Sequence, residues 1–178
     1  MLKMYYKIFS TPKTVIDLKS LSADEDVVKI GKKIEEKVKK IFKGSLAIRE
    51  VDAGSTNACE QELNALSNAY YDVERFGIHF VASPRHADML IVTGPVSRNM
   101  RRALIATYEA TPDPKIIVAV GDDAIDGGIF KGSYGVYDGV DKVIPVNYQI
   151  PGDPPSPKII LCALLRILEL EEASGNKK

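Results

Sequence analysis

Short apolar runs alternate with helical segments from residue 45 onward, and this alternation constrains the fold more than any other feature. The runs are rich in β-branched residues and mainly apolar, as expected for strands buried on both faces of a parallel sheet. They are Ser45–Val51, Ile78–Ala82, Met89–Thr93, Lys115–Val120 and Val143–Val146. The sequence therefore predicts an α/β fold with a doubly wound, mainly parallel, flavodoxin-like sheet.

An amino-terminal segment, residues 1–43, is predicted to precede the main domain of residues 44–173. It contains an amphipathic helix, Ser22–Lys43, whose apolar residues recur every three or four positions and whose Ser22 and Glu25 form a capping box. The lysine-rich face of this helix is either solvated or lies near an anionic membrane surface. Met1–Leu21, which Pro12 interrupts, is either a mobile terminus or a clamp on a partner protein, and residues 174–178 are expected to be disordered.

Composition excludes several classes of function. The 178 residues carry 24 basic and 24 acidic side chains and hence a formal net charge of zero. The sequence contains no nucleic-acid-binding motif, so no nucleic-acid partner is expected. Two cysteines are too few for a disulfide framework, which is consistent with a reducing compartment. No apolar run approaches the ~20 residues that span a bilayer.

Three loops follow apolar runs and carry the chemically useful side chains. The carboxyl ends of parallel strands lie along one edge of a sheet, and sites form at that edge. The loops are Gly54–Glu60, Gly121–Ala124 and Pro151–Pro155. We therefore expect Thr56, Cys59, Asp123 and Asp153 to face one another.

Two kinds of role remain open for these residues when the loops are considered alone. The aspartates either satisfy backbone N–H groups of their own loops or provide negative charge to a neighbour. Thr56 is typical of a helix cap, and Cys59 of a buried thiol. Glu60 falls in the first turn of a predicted helix, where its charge suits the helix dipole. Arg85 and His86 lie on a polar turn that we expect at the same edge, in contact with the aspartates or with a partner subunit.

The loops and strand ends contain several specific segments. They are Val51–Ser55, Cys59-Glu60, Phe76–Asp88 (FGIHFVASPRHAD), Val92–Val96 (VTGPV), Gly127-Gly128, Gly139–Val146 (GVDKVIPV) and Pro151-Gly152 with Pro154-Pro155. Together these segments resemble one known family, the small, cluster-bearing subunit shared by respiratory complex I, where it is the 20 kDa subunit, and by membrane-bound group 4 nickel–iron hydrogenases. The resemblance covers about residues 45–170 and is nearer to the hydrogenase branch.

The resemblance implies a 4Fe-4S cluster on four cysteines, and this chain departs from that pattern. The four ligand positions of the family fall on Thr56, Cys59, Asp123 and Asp153, so only Cys59 matches. Iron–sulfur clusters are held by thiolates, and neither a hydroxyl nor a carboxylate matches the covalency of sulfur. We therefore expect no ordinary 4Fe-4S cluster. The family also has a glutamate at the position of Glu60, close to its large subunit, which implies a coupling role.

Three functions follow as alternatives. The first is a small peripheral-arm subunit of a membrane-bound, hydrogenase-like or complex I-like oxidoreductase, which is not catalytic alone. It would dock a large subunit like the 49 kDa subunit of complex I to a membrane arm, and partner subunits would hold it on the cytoplasmic side of the membrane. The second is an electron-transfer subunit with an atypical cluster or a single metal ion on Cys59, Asp123 and Asp153. The third is a free-standing binding module, which the absence of a phosphate-binding loop and of a nucleophile–base pair disfavours.

Overall fold

The computed structural model describes residues 2–17 and 26–175, and these contain one six-stranded parallel sheet. Its strands are β1 (Thr14–Val15), β2 (Leu46–Asp52), β3 (Ile78–Phe80), β4 (Met89–Thr93), β5 (Ile116–Val120) and β6 (Tyr148–Ile150). Their order across the sheet is β1-β6-β5-β4-β2-β3, and every neighbouring pair is parallel. Without β1, this order is that of flavodoxin. The predicted flavodoxin-like fold class is confirmed.

Six α-helices cover the two faces of the sheet in the described residues. They are α1 (Leu2–Ser10), α2 (Val27–Phe42), α3 (Ala58–Ala65), α4 (Arg101–Ala110), α5 (Asp122–Asp126) and α6 (Pro157–Ala173). The buried side chains of α2, α3 and α6 form one apolar cluster, and those of α1, α4 and α5 form a second. Helices on both faces explain why β4 and β5 are buried at every position.

The predicted amphipathic helix is present as α2, and its apolar stripe is used inside the chain. Asp26 caps it by accepting a hydrogen bond from Val28 N at 3.2 Å, whereas the predicted capping box of residues 22–25 lies outside the described residues. The stripe packs against α6 in the first apolar cluster. Lys37 and Lys40 both bind Glu172 of α6. Because the stripe is already buried, α2 offers no apolar face to a membrane.

The last helix begins as its sequence indicates. Ser156 accepts a hydrogen bond from Ile159 N at 3.5 Å, and Pro157 occupies the first helical position. The expected disorder of residues 176–178 lies outside the described residues. No described helix is long and apolar enough to cross a membrane.

The last strand does not lie where the apolar run predicts it. Val143–Val146 is a buried irregular segment, and the strand is the following β6. Pro145 lacks the N–H that a central strand donates, whereas Asn147 donates from its backbone to Ile117 O at 2.9 Å and accepts from Ile117 N with its side chain at 2.9 Å. Apolar character alone does not distinguish a strand from a buried coil.

The described amino-terminal residues pack on the domain of their own chain. Met4 and Ile8 of α1 are buried in the second apolar cluster. β1 adds an edge strand beside β6, with Thr14 N donating to Asn147 O at 3.0 Å. Contact of this segment with a partner protein stays a prediction, and residues 18–21 lie outside the described residues.

Ser97 is a residue type that commonly caps a helix, but α4 begins four residues later, at Arg101. Ser97 instead forms an isolated bridge with Val136, and its hydroxyl accepts from Met100 N at 3.3 Å. Ser97 therefore initiates a turn that leads into α4 and ties it to the glycine-rich loop of residues 127–139.

Gly31 provides a test of how α2 packs. A Cβ added at Gly31 would lie 2.1 Å from the ring of Phe76, which is 3% exposed. We predict that Gly31→Ala lowers the free energy of unfolding by about 1–3 kcal/mol through overpacking, despite the better helix propensity of alanine. Urea denaturation measures the change. Gly44→Ala is the control, because nothing lies within 4 Å of a Cβ there, and an equal effect at both glycines would contradict this packing.

Candidate functional site

The carboxyl ends of four strands are level with one another. Asp52 of β2 pairs with Thr93 of β4, which pairs with Val120 of β5, and β5 in turn pairs with Ile150 of β6. The chain crosses from one side of β2 to the other between β3 and β4, so β2 and β4 flank the topological switch point. Parallel α/β sheets place their sites in the crevice at this point.

Backbone hydrogen bonds join the loops after β5 and β6. Gly121 N donates to Ile150 O at 2.9 Å, and Asp122 N donates to Gly152 O at 2.9 Å. The side chain of Asp122 accepts from Gly152 N at 2.8 Å and closes the connection. The two loops that carry Asp123 and Asp153 therefore form one unit.

The loop after β2 joins this unit through the thiol of Cys59. Cys59 lies in the first turn of α3 and is 9% exposed. A Cβ added at Gly121 would lie 2.5 Å from its Sγ, so the sulfur packs directly on the Gly121 backbone. Gly121 also has φ of +92°, which disfavours any other residue. The predicted meeting of the three loops is observed.

The loop before α3 is held by its own side chains. Asp52 Oδ1 accepts hydrogen bonds from Gly54 N at 2.7 Å and Ser55 N at 2.8 Å, and Ser55 Oγ accepts from Asn57 N at 3.0 Å. Asn57 occupies the cap position of α3 without making a side-chain cap. Thr56 is exposed on this turn, so its predicted role as the cap is not observed.

The two aspartates differ in their surroundings. Asp123 is half-buried in α5, and Gly128 lies so close that an added Cβ would be 2.1 Å from Asp123 Oδ1. Burial, followed by the charge of Asp153, raises the pKa of Asp123, while a backbone hydrogen bond from Ile129 opposes the rise. Asp153 itself is exposed.

Negative charge surrounds the Cys59 thiol. Burial raises its pKa to about 12, and four carboxylates add to the rise. In decreasing order of effect they belong to Glu60, Asp123, Asp153 and Asp122. A thiol with this pKa is protonated at neutral pH, and a metal that bound here would have to displace its proton.

Another pair of carboxylates, the buried Glu60 and the half-buried Glu50, lies beside the thiol, and sequence reasoning missed Glu50. Glu60 is 7% exposed, and neither carboxylate oxygen has a hydrogen-bond partner among the described residues. Burial, followed by the charge of Glu60, raises the pKa of Glu50 to about 7. The available signal was position, because Glu50 follows the buried Ile48 by two residues and so shares its face of β2.

Arg85 and His86 do not lie at the carboxyl edge, which corrects the expectation that they face the aspartates. β3 is only three residues long, and its last residue, Phe80, is level with Ile48 in the middle of β2. The turn leads directly into the amino end of β4, where Asp88 N donates to Ala47 O at 2.8 Å. The chain leaves the sheet early, so this turn lies toward the opposite edge.

The model for the family described as "NADH ubiquinone oxidoreductase, 20 Kd subunit" matches residues 57–167. This match covers α3, the four strands β3, β4, β5 and β6, and most of α6. The chain belongs to this family. The match begins just before Cys59 and includes both aspartate loops.

Curated relatives of this chain are subunits of membrane-bound hydrogenase and complex I-type complexes. Formate hydrogenlyase subunit 7 of Escherichia coli is 40% identical over 152 residues, which are 85% of this chain and 58% of the relative. The chain thus spans little more than half of that protein. The probable membrane-bound hydrogenase subunit mbhJ of Pyrococcus furiosus is 40% identical over 141 residues, 78% of this chain and 84% of the relative.

Solved structures agree with the sequence relatives. A chain of the membrane-bound sulfane sulfur reductase, an archaeal respiratory membrane complex, is 36% identical with a TM-score of 0.66, covering 76% of this chain and 75% of that one. A chain of an NAD⁺-reducing [NiFe]-hydrogenase is 18% identical with a TM-score of 0.55, covering 70% and 92% of the two chains, and supports the fold alone.

The family's 4Fe-4S cluster does not fit the donor set of this chain. The whole sequence has two cysteines, and Cys162 is buried in the apolar cluster around α6. One thiol therefore remains at the site for a cluster that needs four thiolates. No group of three or more His, Cys, Asp or Glu side chains is arranged to hold a metal ion in the described parts of the chain.

The reactivity of Cys59 tests the electrostatics of the site. At about pH 8 we predict alkylation by iodoacetamide at least roughly a thousandfold slower than that of free cysteine, because so little thiolate is present. Mass spectrometry of the Cys59 peptide gives the rate, and the urea-unfolded chain is the control. Fast labelling of the folded chain would show that the thiol lies in a different environment.

The raised pKa of Glu50 predicts that the free energy of unfolding falls as the pH rises. Its pKa of about 7 in the folded chain lies above the ordinary glutamate value of 4.5, so its stabilising contribution is complete below about pH 4.5 and lost as the pH rises through about 7. We expect Glu50→Gln to flatten the dependence of melting temperature on pH in this range, as followed by circular dichroism. Glu36→Gln, at an exposed site on α2, is the control and is expected to leave the slope unchanged.

Proposed function

We propose that the chain is the small peripheral-arm subunit of a membrane-bound hydrogenase-like or complex I-like oxidoreductase complex, and that it works without the usual 4Fe-4S cluster. In this role it docks the large subunit to the membrane arm on the cytoplasmic side. It does not catalyse a reaction alone. Relatives from membrane-bound hydrogenase and formate hydrogenlyase complexes support the type of complex.

The observation that carries the proposal is the contrast between the loops and their donors. The three loops of the family frame are kept and bonded to one another through Gly121 and Gly152. In this proposal Thr56, Asp123 and Asp153 stand where the family resemblance places three of the four cluster thiolates. A chain that keeps these three loops without their cluster ligands is expected to use the loops for something else. In this proposal that use is docking of the large subunit on the surface that the loops form.

Exposed apolar side chains beside the site support a docking surface. Ile129 and Tyr134 lie on the glycine-rich loop and are 80% and 91% exposed. Ile129 N–H also donates to the carboxylate of Asp123, so this loop is continuous with the site. Large exposed apolar groups at a charged rim are typical of a protein–protein interface.

The negative charge of a cluster gives a reason for aspartates to stand at the ligand positions of the family. An oxidised 4Fe-4S cluster on four thiolates carries a net charge of about −2, and two ionised aspartates bring the same charge. No salt bridge within the described residues involves Asp123 or Asp153. Basic groups of the large subunit, arginines above all, would therefore supply the cations, because the guanidinium fork binds a carboxylate bidentately.

The test is assembly of the complex with the charges removed. We predict that Asp123→Asn combined with Asp153→Asn weakens docking of the large subunit at least about tenfold, because buried charge pairs across an interface are lost. Co-purification from gently solubilised membranes, followed by titration of the separated subunits, measures the loss.

Two further variants interpret the result. Glu36→Gln combined with Glu74→Gln removes two exposed charges away from this edge and is expected to leave docking unchanged. Cys59→Ser is also expected to leave docking unchanged. Normal assembly of the double Asn variant would refute charge replacement, and loss of bound iron and activity in Cys59→Ser would favour a metal centre instead.

A further inference from the structure

The outward face of α1 is aromatic, which is unusual for a helix on a protein surface. Met4 and Ile8 point into the second apolar cluster, and the opposite side carries Tyr5, Tyr6 and Phe9. These three side chains are 44%, 74% and 88% exposed. The outward face of a surface helix is ordinarily polar, so this face requires an apolar or interfacial environment.

Lysines surround this aromatic face. Two shallow grooves flank α1, and their walls carry five lysines against three carboxylates. The lysines are Lys3, Lys7, Lys13, Lys115 and Lys142. Lys13 and Lys142 pair with Asp141 at 2.6 Å and 3.8 Å, and Lys115 pairs with Asp113 at 3.7 Å. Lys3 and Lys7 lie on α1 itself, and Lys3 is exposed. The surface around the helix thus has an excess of positive charge.

Aromatic residues and lysines together are typical of a bilayer interface rather than of a protein partner. Tyr and Phe rings enter the boundary between headgroups and acyl chains, and lysine amines reach the phosphates. Anionic lipids add an attraction for each lysine near the surface. Helix α2 carries more lysines, but its apolar stripe packs on α6, so it lacks the apolar half of such a face.

The helix is fixed to the domain and would orient it. Thr11 N donates to Lys7 O at 2.9 Å at the end of α1, and β1 then pairs with β6. The groove residues Tyr108 and Lys115 belong to the carboxyl end of α4 and the amino end of β5. The aromatic face therefore lies away from the carboxyl edge, which stays free to contact a large subunit.

We propose that α1 binds the surface of an anionic lipid bilayer directly, with Tyr5, Tyr6 and Phe9 inserted at the interface and Lys3 and Lys7 on the phosphates. This contact extends the proposed function, in which partner subunits alone hold the chain at the membrane. It is independent of what occupies the former cluster positions.

Flotation with vesicles tests the contact. The purified full chain is mixed with phosphatidylcholine vesicles that contain or lack phosphatidylglycerol, and the bound fraction is measured after density-gradient centrifugation. The chain is expected to float with the anionic vesicles and to dissociate as salt rises. Failure of the wild-type chain to bind anionic vesicles overturns the proposal.

Matched variants separate this surface from the other exposed apolar one. Tyr6→Ser combined with Phe9→Ser is expected to lower partitioning by roughly tenfold or more. Ile129→Ser combined with Tyr134→Ser removes similar exposed groups from the glycine-rich loop and is expected to leave partitioning unchanged. Equal losses in the two pairs overturn the proposal.

Charge variants complete the test. Lys3→Glu combined with Lys7→Glu is expected to weaken binding to anionic vesicles by about fivefold or more per lysine, whereas Lys29→Glu combined with Lys32→Glu on α2 is expected to have a smaller effect. If the Tyr6 and Phe9 variant binds vesicles normally but no longer co-purifies with its subunits, α1 binds protein and the lipid contact is wrong. Docking of the large subunit can still be normal in that case, so the two proposals fail separately.

Discussion

The contact between the Cys59 sulfur and the Gly121 backbone joins the three loops on which the site depends. It is possible because the strand register brings the ends of β2, β5 and β6 to one level. Gly121 is required for two reasons. Its φ is positive, and the sulfur of Cys59 occupies the space that a side chain would fill. The three loops are thus held together by packing and backbone hydrogen bonds within the chain.

The electrostatics of this frame suit a subunit more than a free protein. Burial, together with the charges of neighbouring carboxylates, raises the pKa values of Cys59, Glu50 and Asp123. Carboxylates held together without cations are costly, and a cation brought by a partner relieves that cost. The carboxylate oxygens of Glu60 have no hydrogen-bond partner among the described residues, and Ile129 and Tyr134 are exposed on the glycine-rich loop. Both observations indicate a surface that a partner would cover. On this account, binding of the large subunit completes the site.

Local patterns predicted the sheet well and the site only in part. β4 has the bounds that the sequence predicts, because a continuous apolar run between two polar turns is typical of a strand buried in a parallel sheet. The strand predicted at Val143–Val146 is wrong, because Pro145 lacks the backbone N–H of a central strand and this apolar run is coil. Arg85 was misplaced because sequence does not show that β3 ends after three residues, and Glu50 was missed because its partner Glu60 lies on α3, which only the tertiary fold brings near.

Iron and acid-labile sulfide in the anaerobically produced chain test the central claim most directly. The measurement needs a host with active cluster assembly, and Thr56→Cys, Asp123→Cys and Asp153→Cys together in one variant provide the positive control, since they restore four thiolates to the frame. The account predicts that the wild-type chain binds neither iron nor sulfide and that the variant gains both. About four irons and four sulfides per wild-type chain would contradict it.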